Sequence, residues 1–169
     1  MMKLGVRLEG VARERVRELQ AAMIQGLERG VLHALLHVQR IVQMRKLSGE
    51  VLNVRTGTLR RSFGEAPRVS RQGSTVRGSF GSILDYAILW EFGGIRPAQE
   101  IRPVRRKALR FEIEGQVIFA RVVRQPAREQ EARPYVRPTM QEERETIGQM
   151  LMGEVRGAAT RFGVRMAGA

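Results

Sequence analysis

The 169-residue sequence contains no cysteine, few aromatic residues and no long apolar run. Without cysteine the chain can form neither a disulfide bond nor a thiolate zinc site. No stretch approaches the roughly 18 consecutive apolar residues that a membrane-spanning helix needs. A chain of this length buries roughly two thirds of its unfolded surface on folding, so it needs no covalent or metal staple. These features favour a single globular domain.

Acidic residues are scarce relative to basic ones. The chain has 17 Asp and Glu against 30 Lys and Arg, giving a formal net charge of +13, and only three of the basic residues are lysine. Such a field attracts polyanions, but arginine also pairs well with carboxylates at protein interfaces. A GC-rich genome or a heat-adapted source would give the same bias, so charge alone does not select a partner.

Residues that carry catalytic chemistry are few. The single aspartate is Asp85, and the only histidines are His33 and His37. The histidines have a zinc-ligand spacing on one helix face, but no third ligand accompanies them. A Ser-His-Asp triad would have no nucleophile elbow, and the glutamates do not cluster as two-metal chemistry requires. We therefore expect a protein that is not an enzyme and holds no metal or cofactor.

Hydrophobic periodicity predicts an α+β chain with two long helices. A strand is expected over 3–8, followed by a helix from about Val11 to Lys46 that could break at Gly26 or Gly30. A last helix is expected from Thr139 to about Phe162. The predicted layout is one domain with a strand and long helix over 1–48, a small sheet of hairpins with a short apolar helix over 49–138, a helix over 139–162 and a tail over 163–169.

The central region contains two predicted antiparallel hairpins. The first joins Val69 to 75–80 through a turn at 71–74, and the second joins 108–113 to 116–124 through Glu114-Gly115. A short helix is expected around 58–63. The segments 94–107 and 125–138 contain prolines and are predicted to be a loop and an extended stretch, respectively.

The segment 82–94 is the most informative part of the chain. Ser82 and Asp85 form a capping-box pattern that begins a helix, and Gly93-Gly94 suits its end. A helix that is apolar all round has no solvent face, so we expect it to pack on several sides as an assembly seam or a core anchor. The residues of this segment that we predict as anchors are Tyr86, Trp90, Glu91 and Phe92.

Two contacts are predicted for this helix. An unpaired buried charge costs several kcal/mol, so we expect Glu91 to pair with an arginine from 55–61 or 133–137; a solvated position at the helix edge is the alternative. We also expect Tyr135 to pack near the Trp90 end of the helix and to set the start of the last helix.

A basic segment covers residues 102–110, where four arginines and one lysine occupy nine positions. In a nucleic-acid-binding protein such a loop would contact phosphates, although no aromatic residues are interleaved for base stacking. A solvated loop, or a set of arginines for a neighbouring subunit's glutamates, is the alternative. The candidate DNA-channel residues are Arg102, Arg105, Arg106 and Lys107.

Several short motifs occur in a distinctive order. They are Arg55-Thr-Gly-Thr-Leu-Arg-Arg-Ser62, Tyr86-Ala87, Trp90-Glu-Phe-Gly93, Lys107-Ala-Leu-Arg-Phe111, Gly115-Gln-Val-Ile-Phe-Ala120 and Ala132-Arg-Pro-Tyr-Val-Arg-Pro138. Over about residues 50–160 this order resembles the neck or tail-completion proteins of long-tailed bacteriophages, also described as minor tail or virion-morphogenesis proteins.

The resemblance implies an α+β structural protein that forms a ring, commonly a hexamer, at the head–tail junction or the top of the tail tube. Its partners would be head-connector adaptor or stopper proteins and tail-tube or tail-terminator proteins, with non-specific contact to genomic DNA in the lumen and no membrane. It would reside in the virion, and in the host cytoplasm during assembly. The resemblance adds Arg133, Tyr135 and Arg137 to the expected assembly anchors. The alternative is a stand-alone basic nucleic-acid-binding protein.

Overall fold

The structure, a computed structural model, describes residues 10–164. The strand predicted at 3–8 and the end of the predicted tail lie outside these residues. The described chain has long helices near both ends and antiparallel hairpins between them, which confirms the α+β class. The sequence predicts a single domain; the contacts group the described residues into two compact units, here called unit 1 (10–83 with 135–164) and unit 2 (84–134).

The N-terminal helix of unit 1, α1, spans Gly10–Met44 without interruption. Its 35 residues correspond to about 50 Å of helix, in agreement with the prediction. A 3-10 turn, Lys46–Ser48, follows it. The two glycines do not break the helix. A Cβ on Gly26 would lie 2.8 Å from the Glu154 carbonyl oxygen, and one on Gly30 would lie 3.0 Å from the Leu151 Cα. They are therefore the positions at which a second helix approaches α1 closely.

The first predicted hairpin and the short helix before it are both present. Helix α2 spans Thr58–Ser62, and strands β1, Arg68–Gln72, and β2, Thr75–Ser79, pair antiparallel across a turn at Gly73. The hairpin packs on α1 through Gly78, where a Cβ would lie 2.5 Å from the Leu35 side chain. This contact fixes which face of the hairpin is turned inward.

The end of unit 1 forms two helices rather than the predicted single one. They are α4, Val136–Glu142, and α5, Arg144–Thr160, separated at Glu143. The predicted extended segment therefore ends three residues early, at Tyr135. Pro138 falls in the first turn of α4, where a helix needs no amide hydrogen and proline is tolerated. The Thr139 hydroxyl donates to the Tyr135 carbonyl at 2.6 Å, which holds that turn together.

The core of unit 1 lies between α1 and the C-terminal helices, with Val38, Val42 and Ala159 fully buried. Beside it, the ring of Phe63 meets Tyr135 edge-on, with centroids 5.8 Å apart. Phe80 adds a tilted contact to Phe63 at 6.3 Å. The aromatic cluster ties the hairpin, α2 and the start of α4 into one core.

Unit 2 consists of one helix and a two-stranded antiparallel ribbon. Helix α3 spans Asp85–Phe92. The strands that follow are β3 (Gly94–Arg96), β4 (Gln99–Ile101), β5 (Leu109–Ile113), β6 (Gln116–Ala120), β7 (Val123–Gln125) and β8 (Arg128–Gln130). The pairs are nested, β3 with β8, β4 with β7 and β5 with β6. The predicted loop over 94–107 is therefore wrong for β3 and β4, which form the base of the ribbon.

The register of the ribbon shows where it is interrupted. Gly94 pairs with Gln130 and Gln99 pairs with Gln125, so the register is maintained from the first strand pair to the second. Leu109 then pairs with Ala120, which leaves five more residues on the outgoing strand than on the returning one. The extra residues form a loop over 102–108, which carries most of the basic segment.

The tip of the ribbon has the turn that the sequence predicts. Glu114 has φ +50° and Gly115 has φ +80°. Two consecutive residues with positive φ form the hairpin turn whose twist matches that of the flanking strands. The second predicted hairpin is confirmed over β5 and β6.

Candidate assembly surface

Helix α3 begins two residues later than the capping-box pattern indicates. Leu84 occupies the cap position, and Asp85 is the first helical residue, where its carboxylate suits the positive end of the helix dipole. The predicted end of α3 at Gly93 is confirmed. Gly93 has φ +74°, and its N–H donates to the Leu89 carbonyl at 3.0 Å.

The surface of α3 differs from the expectation of a helix packed on several sides. Ala87 and Glu91, one turn apart, are buried. Ile88 and Phe92, also one turn apart, are 62% and 60% exposed. Tyr86 is exposed as well, and Trp90 is half-buried. The described chain therefore leaves an apolar stripe of this helix open to solvent, which favours the assembly-seam interpretation over that of a core anchor.

The end of α3 is fixed to the segment that follows β8. The Arg133 N–H donates to the Trp90 carbonyl at 2.6 Å. A Cβ on Gly93 would lie 3.1 Å from both the Ala132 nitrogen and the Gln130 carbonyl oxygen. The structure thus brings together two of the predicted anchors, Trp90 and Arg133, through the backbone.

Tyr135, another predicted anchor, is buried in unit 1 against Phe63. It occupies the cap position of α4, as expected of a residue that sets the start of the last helix. Its packing near Trp90 stays a prediction. So does the arginine partner of the buried Glu91. Arg137, the last of the set, is an exposed residue in the first turn of α4.

The tip of the ribbon exposes a second set of apolar side chains. Phe119 is 66% exposed, and Ile113, Val117 and Ile118 are exposed to a lesser degree. Neighbouring strand residues point to opposite faces, so Val117, Ile118 and Phe119 place apolar side chains on both faces. A two-stranded ribbon is at best marginally stable in water by itself. The tip is therefore a candidate contact surface.

Sequence reasoning did not identify the ribbon tip as a candidate surface. The signal was the consecutive run Val117-Ile-Phe119 within a hairpin strand. A hairpin with one buried face alternates apolar and polar residues, whereas a continuous apolar run is typical of a strand covered on both faces.

The predicted DNA-channel residues do not behave as one set. The Arg102 guanidinium lies 2.6 Å from Glu100, which also accepts a hydrogen bond from Arg124 at 3.2 Å. These side chains are exposed, so the pairs contribute little to stability, but they partly neutralise Arg102. The other three candidates are exposed and form no ion pair within residues 10–164: Arg105, Arg106 and Lys107.

The two histidines of α1 pair with different glutamates. His33 Nδ1 lies 3.2 Å from Glu154, and His37 Nε2 lies 2.8 Å from Glu143. The hydrogen bond with His37 lowers the pKa of the Glu143 carboxyl. Within the part of the chain that the structure describes, no three histidine, aspartate or glutamate side chains converge as a metal site would require. None of the described helices is long and apolar enough to span a membrane.

A buried lysine in the 3-10 turn after α1 is a further feature that the sequence does not reveal. The Lys46 Nζ lies 2.5 Å from Glu50 and 2.9 Å from Glu142. Hydrogen bonding to Glu50, and then to Glu142, raises the pKa of Lys46. The same bond lowers the pKa of Glu50. This network joins the 3-10 turn to Glu50, which follows it, and to Glu142 in α4.

Comparisons with known proteins add no assignment, because no protein family, curated protein or solved structure matches the chain. The site is therefore defined by its own geometry. It consists of an exposed apolar stripe on α3 and an exposed apolar tip on the ribbon, both within unit 2.

Proposed function

We propose that the chain is a structural subunit of the neck or tail top of a long-tailed bacteriophage. It forms a ring that joins head-connector proteins to the tail tube around the DNA channel. The observation that supports this most strongly is the ribbon tip, which exposes apolar side chains on both faces. Contiguous exposed apolar surface is typical of interaction sites on soluble proteins.

The size of the two apolar surfaces favours repeated contacts over a single weak one. Fully covering one large apolar side chain contributes roughly 1.5–3 kcal/mol, whereas association costs about 4–15 kcal/mol in lost freedom. The side chains of the tip are only partly exposed, from 36% to 66%, so covering the tip alone reaches the lower part of this range. A subunit that uses both the tip and the α3 stripe reaches further into the range, because each side chain adds to the same assembly.

A ring would cover both the ribbon tip and the α3 stripe of every subunit. When the tip of one copy packs on a different surface of the next, the contact is head-to-tail, and such contacts close into rings when the rotation permits. Every copy then makes two interfaces. The ordered motifs that resemble neck and tail-completion proteins support six copies and the head–tail location.

Antibody labelling of tailed particles from the source culture tests the location. We expect an antibody raised against the full chain to bind at the head–tail junction. Labelling along the tail fibres, or none on intact and disrupted particles, would contradict the proposal. A monomeric chain that binds duplex DNA tightly and is absent from particles would instead support the stand-alone nucleic-acid-binding alternative.

A further inference from the structure

The hairpin β1–β2 presents a polar face to solvent. Its inner face holds Val69, Arg71, Val76 and Gly78; Gly78 packs on α1, and Arg71 lies 3.9 Å from Glu28 of the same helix. Because strand side chains alternate, the residues between them share the outer face. All of these are exposed: Arg68, Ser70, Gln72, Thr75, Arg77 and Ser79. We call this set the outer hairpin face.

The outer hairpin face carries positive charge with no acid on it. No aspartate or glutamate occurs between Glu65 and Asp85. Arg68 pairs with Ser79, and Arg77 lies two residues before Ser79, so the two arginines are diagonal neighbours with Cβ atoms about 7–8 Å apart. Neither arginine forms an ion pair within residues 10–164.

A hollow lies at one end of this face. Its volume is about 250 Å³, and Arg68, Ser79 and Ser82 line it together with Ala66, Phe80, Gly81 and Ile83. Glu65 contributes the one acid of its lining. The hollow thus places a guanidinium beside hydroxyl groups in a concave site large enough for a phosphate group.

We propose that the outer hairpin face binds the phosphate backbone of duplex DNA without reading its sequence. Arginine together with serine, threonine and glutamine side chains is the set that contacts phosphate oxygens in protein–DNA complexes. The face has no aromatic side chain, so it offers no platform for stacking unpaired bases. The six side chains of the face include no aromatic or aliphatic anchor of the kind that a protein interface needs, although the exposed Ile83 is among the residues that line the hollow. This inference does not depend on the proposed function.

The salt dependence of binding tests the assignment. The affinity of the full chain for two unrelated duplexes of equal length is measured between about 50 and 200 mM salt. Each phosphate contact contributes about 0.9 to the slope of log K against log salt, so Arg68→Gln/Arg77→Gln is expected to reduce the slope by about 1.8 on both duplexes. Arg68→Lys/Arg77→Lys keeps the charge and is expected to keep the slope.

The matched control removes the same charge from the other basic cluster, as Arg105→Gln/Arg106→Gln. We expect it to leave the slope closer to that of the unmodified chain than the hairpin variant does. Equal reductions by both variants would show a diffuse field and would overturn the proposal. A reduction by the loop variant alone would move the contact to the loop and would overturn it as well. Thermal unfolding of each variant confirms that any loss is not one of folding.

Discussion

At the scale of single residues, the effect of a helical glycine on stability depends on the atoms packed against it. Gly26 and Gly30 lie in the middle of α1, where alanine would usually stabilise a helix by about 1 kcal/mol. The backbone of α5 fills the space that a Cβ would take, and the nearest atoms are a carbonyl oxygen and a Cα, which cannot move aside alone. The sequence predicts a weak point at these glycines because it does not show the helix against them.

Two glycine-to-alanine substitutions are therefore expected to change the free energy of unfolding in opposite directions. Gly26→Ala is expected to lower the free energy of unfolding by about 1–3 kcal/mol, because overpacking forces the two helices apart. Gly153→Ala is the control, since Gly153 is in α5 and a Cβ there would meet no atom within 4 Å. We expect it to stabilise the chain by up to about 1 kcal/mol. Urea unfolding measures both, and a stabilising Gly26→Ala would contradict the close approach.

The buried Lys46 gives the stability of the chain a predicted pH dependence. Glu50 has a folded pKa below its ordinary 4.5, so its contribution is present above that value and is lost as the pH falls through the folded pKa. Lys46 has a folded pKa above its ordinary 10.5, so its contribution is present below that value and is lost as the pH rises through the folded pKa.

We therefore expect the difference in unfolding free energy between the unmodified chain and Lys46→Met to be constant between about pH 6 and 9. The stabilisation by Lys46 should decrease at acid pH, as Glu50 is protonated, and at alkaline pH, as Lys46 loses its proton. Arg45→Met is the control. Arg45 also pairs with Glu50, at 3.2 Å, but arginine does not lose its charge at alkaline pH. Denaturant titrations across pH measure both differences. An alkaline change of equal size for Arg45→Met would show that Lys46 is not its source.

At the scale of secondary-structure elements, the ribbon tip is expected to act in assembly rather than in folding. Phe119 is mostly exposed, so Phe119→Ser should leave the unfolding free energy nearly unchanged. Covering the 66% of this side chain that is exposed contributes about 1–2 kcal/mol between subunits, which corresponds to about a 5–30-fold rise in the concentration at which the assembly dissociates.

Val104→Ser is the matched control for Phe119→Ser. Val104 is 96% exposed in the loop over 102–108, outside the strands of the ribbon. We expect the Val104→Ser assembly to dissociate at the same concentration as that of the unmodified chain. Sedimentation on a dilution series makes the comparison, and identical behaviour of the two variants would remove the tip from the interface.

The elements also show how far the sequence predicts this fold. The limits of α1 and the turn at Glu114-Gly115 follow from local patterns, since helical periodicity and a turn residue before glycine are both encoded by neighbouring residues. The strands at the base of the ribbon do not follow from local sequence patterns. They have three residues each and pair across about 30 positions, with Pro97 and Pro126 beside them. Such pairing leaves no periodicity to detect.

The sequence predicts the candidate surface only in part, because local composition identifies α3 but not the residues that become its neighbours in the fold. The unusual composition of α3 identified it as a place of contact, and the structure places Trp90 against the backbone at Arg133. Composition could not show which apolar side chains remain exposed, because that depends on the packing of the rest of unit 2. The outer hairpin face was missed because Arg68 and Arg77 become neighbours only through strand register.

At the scale of the whole molecule, the net charge of +13 opposes the association of identical subunits. Salt screens this repulsion, while apolar contacts do not depend on opposite charges. We therefore expect self-association to strengthen as salt is raised over the range in which duplex binding weakens. Light scattering and duplex titration of the same preparation measure the two trends. Self-association that weakens with salt would indicate an interface made of ion pairs instead.

We propose that copies of this chain close into a ring through unit 2. The most direct measurement is the native mass of the purified, DNA-free chain over a range of concentrations, with Phe119→Ser measured alongside. We predict a single closed species, six times the 19.1 kDa chain mass, that the substitution shifts towards monomer. A monomer at every concentration, or an assembly that forms only when DNA is added, would overturn the proposed ring.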